Sequence, residues 1–158
     1  MKSALSLAAL TTLAAAYNHG FPNDSSFHAH CHLSATLANT SCADAKAKAD
    51  ELIKTNVDTD SEYKGQMSIH DEGDDWIYSK RLTYNKKYTD DQLFEFVADG
   101  SGCTINARSQ SESLSYLDNG VNYCNMWNVL SRIPGFSTCT SSSCHNDVSD
   151  PKTTCARY

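Results

Sequence analysis

Apolar and polar positions follow two different periods along this chain. From Ser41 the run Cys42, Ala45, Ala49, Leu52 and Ile53 falls on one face at 3.6-residue spacing. Strong helix formers fill the positions between them and Ser41 is placed to cap, so the spacing predicts a helix over 41–54 with a narrow buried stripe. Beyond Asn56 the pattern changes to short apolar runs broken by turn formers. Segments 65–70 and 76–83 flank Asp71-Glu72-Gly73-Asp74-Asp75, and segments 92–98 and 103–109 flank Asp99-Gly100-Ser101-Gly102. These read as two hairpins, or about four antiparallel strands. At Val121 the helical period returns, with Tyr123, Met126, Trp127 and Leu130 at i, i+3, i+4 and i+7 through Leu130, a stripe that faces a core. The expected fold class is α+β, a small antiparallel sheet with helices packed on one face.

Outside these segments the periodicity fails. Residues 17–40 are rich in His, Asn, Ser and Pro and are expected to form an irregular arm tied down by Cys31, with residues 41–158 forming a single domain. No repeat of 20–50 residues is visible. The start reads differently again: Met1-Lys2-Ser3, an apolar run over 4–13, then Ala14-Ala15-Ala16. A charged start, a short hydrophobic segment and small residues predict a secretory signal over 1–16 that is cleaved after Ala16. The apolar run is too short to span a bilayer, and no membrane span is expected.

Cysteine usage agrees with export. All seven cysteines, Cys31, Cys42, Cys103, Cys124, Cys139, Cys144 and Cys155, follow the signal, and an exported chain meets an oxidising compartment. Three bridges and one odd thiol are expected, with the connectivity open. Cys139, Cys144 and Cys155 occupy a tail too poor in apolar residues to be ordered by burial, so at least two of them should anchor it. Sequons at Asn23-Asp24-Ser25 and Asn39-Thr40-Ser41 mark both asparagines as glycosylation acceptors in a eukaryotic host. The net charge of −6 repels polyanions, which argues against a nucleic-acid partner.

The densest segment is Ala107-Arg108-Ser109-Gln110-Ser111 through Asp118-Asn119-Gly120-Val121-Asn122, where a strand gives way to a polar loop and a helix. It resembles the signature of the domain-of-unknown-function 1499 family, Arg-Ser-x-Ser, a gap, then Asp-x-Gly-x-Asn at a helix start. Arg108, Ser109, Ser111, Asp118, Gly120 and Asn122 match it. Asp90-Asp91 and Phe94 are similar to that family's approach to the signature, and the resemblance covers about residues 42–131. Glu112 stands where the family has a second arginine, Tyr123 replaces a basic residue, and the disulfides are additional. The resemblance implies a compact α+β fold and carries no activity or cofactor.

Physically, Asp118 or Asn119 can cap the second helix, Gly120 can take a conformation closed to other residues, Asn122 can bond the loop, and Arg108 can pair with Asp118. Alternatively Arg108, Ser109, Ser111, Asp118 and Asn122 line a shallow polar pocket for an anionic or sugar-like ligand.

Gly-x-Ser-x-Gly, His-Glu-x-x-His, phosphate-loop, dinucleotide and Cys-x-x-Cys motifs are absent. The remaining catalytic constellation is His70 or His145 with Glu95, Lys80, Arg81 and Arg108, types a secreted phosphodiesterase could use. Asp71, Glu72, Asp74 and Asp75 offer oxygen ligands to calcium but read better as a solvated turn. His28, His30 and His32 alternate, so an extended chain presents three imidazoles on one side. A chain beginning Tyr17-Asn18-His19 would add an amine, amides and the His19 imidazole, a square-planar copper(II) set. The sequence as a whole points to a secreted, non-catalytic binding or structural module with an extracellular ligand, carbohydrate or protein. A copper protein using His19, His28, His30 and His32 is the alternative, and a small hydrolase a weaker one.

Overall fold

The computed structural model describes residues 18–55, 65–84, 86–146 and 148–158. Segment 1–16, expected from its sequence to be a secretory signal, and the Tyr17 amine lie outside these residues. The fold is α+β, as its periodicities require, but among the described residues the one antiparallel sheet has six strands, not four. In chain order the elements are β1 (His30–Leu37), α1 (Cys42–Lys54), β2 (Gln66–Glu72), β3 (Trp76–Leu82), β4 (Thr89–Asp99), β5 (Gly102–Ser111), α2 (Val121–Leu130), β6 (Phe136–Ser142) and α3 (Pro151–Thr154). The strands lie in the order β2-β3-β4-β5-β1-β6.

The two additional strands come from segments without an expected element. His30–Leu37, expected to be part of an irregular arm, is instead β1, an interior strand paired with β5 on one side and β6 on the other. Cys31, Leu33, Ala35 and Leu37 point into the core and His30, His32, Ser34 and Thr36 point the other way, the two-residue alternation of a half-buried strand. The polar run after Phe136 is β6, which completes the sheet against β1.

Both longer helices cover the same sheet face. Ser41 caps α1, its hydroxyl accepting from the Asp44 N–H at 3.1 Å, and Ala45, Ala49 and Ile53 are fully buried. They meet Leu33, Ile77, Phe94, Ile105 and Ala107 from the sheet and Met126, Val129 and Leu130 from α2 in one core. The α2 stripe is buried as its spacing predicts, except that Trp127 is half-buried, and Asn122, Asn125 and Asn128 are buried with it. The tail closes over the helix, Asn128 donating to the Cys155 carbonyl.

Three disulfides join the layers: Cys31–Cys144, Cys42–Cys103 and Cys124–Cys155. Two tail cysteines are anchored as expected, and Cys139 is free and half-buried. Both sequon asparagines, Asn23 and Asn39, are exposed. Among the described residues no helix is long and apolar enough to cross a membrane.

Candidate functional site

Strand alternation divides the signature residues between two faces of the sheet. Ser109 and Ser111 are buried on the helix-covered face, whereas Arg108 projects from the opposite one. On the covered face, cross-strand register builds two polar rows inside otherwise apolar strands. Ser79, Gln92 and Ser109 form one row, and Arg81, Asp90 and Ser111 the other. Ser79 Oγ donates to Gln92 Oε1 at 2.9 Å, and Ser111 Oγ donates to Asp90 Oδ1 at 2.8 Å.

The N-terminal turn of α2 lies over these rows and joins them. Asn122 is fully buried: its Oδ1 accepts from Ser109 Oγ at 2.7 Å, and its Nδ2 faces the Ala29 carbonyl at 3.0 Å, Ser111 Oγ at 3.2 Å and Asp118 Oδ2 at 2.8 Å. Asn125 donates to Asp90 Oδ2 at 2.9 Å. Asp118 holds the helix start, accepting from the Gly120 N–H at 3.0 Å and the Asn122 N–H at 2.8 Å. Gly120, at φ 81°, occupies the left-handed region that lets the chain enter the helix there. The capping role read for Asp118 is therefore present, but its partner is Asn122 and not Arg108.

Asp90 is the chemically unusual member. Burial pushes its carboxyl above the ordinary range, against the opposing hydrogen bonds from Asn125 and Ser111 and the Arg81 charge. The sequence showed it as one half of Asp90-Asp91. A carboxylate pair inside a strand of buried residues was the available signal, because alternation sends one acid to each face.

This network floors a surface cleft. One lobe, of about 550 Å³, is lined by Arg81, Tyr84, Tyr88, Asn119, Arg157 and Tyr158 among others. A second, of about 280 Å³, is lined by Asp90, Ser111, Leu114, Leu117 and Asp118, and both share Thr83, Tyr88, Asn119 and Val121. Tyr84, Tyr88, Leu114 and Leu117 are all at least half exposed along it. Of the expected ligand-binding set, Ser111 and Asp118 reach the cleft wall, Ser109 and Asn122 are interior to the brace, and Arg108 lies on the far side of the sheet.

On that far side the chain from Asn18 to Asp24 crosses the open face. Arg108 Nη1 donates to Asn18 Oδ1 at 2.7 Å, its guanidinium lies 5.1 Å from the Phe21 ring centre, and Glu95 approaches it at 3.6 Å. His19 stacks on Trp76 at 4.3 Å and approaches Glu95 at 3.7 Å. The suggested catalytic groups do not assemble as the sequence suggested. The histidine beside Glu95 is His19, His70 packs on Tyr78, His145 packs on His30, and Arg81 is on the covered face. Lys80 pairs with Asp91 and Glu112.

The expected three-imidazole set also divides. His30 and His32 both face Asp24, at 3.8 and 2.9 Å, while His28 Nδ1 turns to the Ser111 carbonyl at 2.8 Å. Among the described residues no group of three or more His, Cys, Asp and Glu is arranged to hold a metal ion. In the acidic hairpin Asp71 accepts from the Glu72 N–H and Glu72 pairs with Lys46 of α1 at 2.8 Å.

Comparison with protein-family models, curated proteins and solved structures finds no match to the chain.

Proposed function

We propose that residues 17–158 act outside the cell as a non-catalytic binding module, and that the cleft beside the N-terminal turn of α2 takes a hydroxyl-rich, carbohydrate-like ligand. The observation that carries this reading is the lining itself. Exposed Tyr84 and Tyr88 offer flat faces to the C–H side of a sugar ring, beside Asp118, Asn119 and Ser111, whose polar atoms suit hydroxyls. The rigid brace beneath supports it, since a fixed floor reduces the ordering cost of binding. Secretion is supported by the signal pattern in residues 1–16 and by the three disulfides. The resemblance to the 1499 family adds architecture and no ligand.

The copper alternative has less support, since His28 is turned away from His30 and His32 and the amine half of the second site lies outside the described residues.

Titration of neutral and acidic oligosaccharides, followed by amide chemical shifts, tests the proposal. Expected are shifts confined to residues 83–90 and 111–121, with affinity reduced at least tenfold by Tyr88→Ala at unchanged thermal stability. Shifts on the open face, or saccharide binding indifferent to Tyr88→Ala, would overturn it.

A further inference from the structure

The two lobes of the cleft differ in charge. The smaller one, beside the start of α2, carries the carboxyl groups of Asp90 and Asp118. The larger one carries the guanidinium groups of Arg81 and Arg157, and among the described residues no aspartate or glutamate lines it. Two of the chain's 13 basic side chains thus meet in one cavity of about 550 Å³, on a protein whose net charge is −6. The turn between β3 and β4 supplies Tyr84 and Tyr88 to this lobe and carries Lys86 and Lys87 between them. It is closed by the Thr83 N–H donating to the Tyr88 carbonyl and the Lys86 N–H donating to the Thr83 carbonyl.

The two arginines act differently. Arg157 is exposed in the tail, and its guanidinium lies 4.9 Å from the Tyr158 ring centre, a contact that restrains it. Its fork of N–H donors can take both oxygens of a carboxylate. Arg81, near the end of β3, is 2 % exposed, so it contributes a fixed charge from beneath, where scarce water screens it less than at the surface. Asp90, its cross-strand neighbour, accepts from Ser111 and Asn125 with its two oxygens, and its burial favours the protonated form. It therefore offsets the Arg81 charge less than a fully ionised carboxylate would.

We propose that the cleft takes an acidic saccharide in one direction, a uronate-bearing chain whose carboxylate lies in the larger lobe against Arg157 and over Arg81, with hydroxyls of the adjoining sugar in the smaller lobe at Asp118 and Ser111. This rests on the reading of the cleft as a saccharide site and adds the charge and the orientation of what it takes. Tyr84 and Tyr88 offer their ring faces to acidic and neutral sugars alike, so the choice between them falls to the arginines. In the reverse orientation the carboxylate would meet Asp118 and be repelled. Lys86 and Lys87 add to the local positive field on a body that otherwise repels anions, which draws an acidic ligand to this side of the molecule.

The test is calorimetric titration of the disulfide-bonded protein with three probes: an oligogalacturonate, the same oligosaccharide methyl-esterified, which keeps its hydroxyls and loses its charge, and a sulfated neutral oligosaccharide. The uronate should bind at least tenfold more tightly than its ester, and the preference should shrink as salt is raised. Arg157→Gln should cut that preference to threefold or less while leaving affinity for the ester unchanged. Lys152→Gln removes an exposed cation of the same tail that does not line the lobe, and should leave the preference intact. Arg157 and Lys152 are both exposed, and thermal melts confirm that the two variants fold. Equal binding of uronate and ester overturns this inference, and leaves the saccharide reading standing where Tyr88→Ala weakens both; binding of no saccharide overturns the two together. A preference that survives Arg157→Gln, or that falls as far in Lys152→Gln, places the charge elsewhere and overturns the inference, as does tighter binding of the sulfated chain than of the uronate.

Discussion

β5 supplies polar residues to both faces of the sheet, and the two faces treat them in opposite ways. On the covered face Ser109 and Ser111 join Asn122, Asp118, Asp90 and Asn125 in a network whose members are mostly buried and multiply bonded. On the open face Arg108 holds a crossing segment by one hydrogen bond, one ring contact and one distant carboxylate, and stays about one quarter exposed. Water can replace the partners on the open face and cannot on the covered one. Neighbouring residues of one strand should therefore differ severalfold in what their loss costs.

Asn122→Ala is the strongest test of that difference. It takes the acceptor from the Ser109 hydroxyl and removes one donor each from the Ala29 carbonyl, which keeps the Ser111 N–H, and from Asp118, so denaturant unfolding should show a loss of about 3 kcal/mol, a buried group costing about 1–3 kcal/mol when left unpaired. Asp118→Ala removes the acceptor for two N–H groups at the start of α2 and should cost about 1–3 kcal/mol by thermal melt.

Asp90 sharpens the contrast through pH. Its folded carboxyl titrates above the ordinary value because of burial. Between the two values the native state keeps a proton that the unfolded chain has released, so stability falls as pH rises through that window. Asp90→Asn should remove this slope and make the variant the more stable protein, by about 1–2 kcal/mol, once Asp90 would be ionised. Asn125 Oδ1, buried without a hydrogen-bond partner, can accept from the new amide. Urea midpoints from pH 4 to 8 report the result, and parallel slopes in the two proteins would refute it.

The smallest effect is expected on the open face. Arg108→Ala should lower stability by only about 0.5–1 kcal/mol, while amide exchange in residues 18–24 accelerates as that segment loosens. A loss matching Asn122→Ala would erase the distinction between the faces.

The sequence made β2 to β5 and both longer helices legible, because each carries its own turn formers and its own apolar period. β1 does carry a period, since Cys31, Leu33, Ala35 and Leu37 alternate strictly with polar residues, but the intervening His30 and His32 continue the alternate histidines begun at His28, a pattern that also suits a metal-binding arm. β6 carried almost none. Its outward positions are Ser and Thr, and it becomes a strand because β1 offers a ladder and Cys31–Cys144 holds the adjoining tail. At the site, Asp118, Gly120 and Asn122 were found because capping is local. The joining of Asp90, Asn125 and Arg81 to them was not legible, since it depends on register between strands remote in sequence.

The position of β1 also sets an order of events. It is the first of the described strands to be synthesised, yet its neighbours are β5, which ends at Ser111, and β6, which ends at Ser142. Until most of the polypeptide has emerged, β1 has neither flank filled and Cys31 waits for Cys144, 113 residues later. The sheet cannot grow outward from its N-terminal strand; β2 to β5 must form first and accept β1 afterwards, with β6 closing behind it. Such long-range closure slows folding, and a chain halted before Ser142 would display β1 with an unfilled side, a state that a folding chaperone has the most time to recognise.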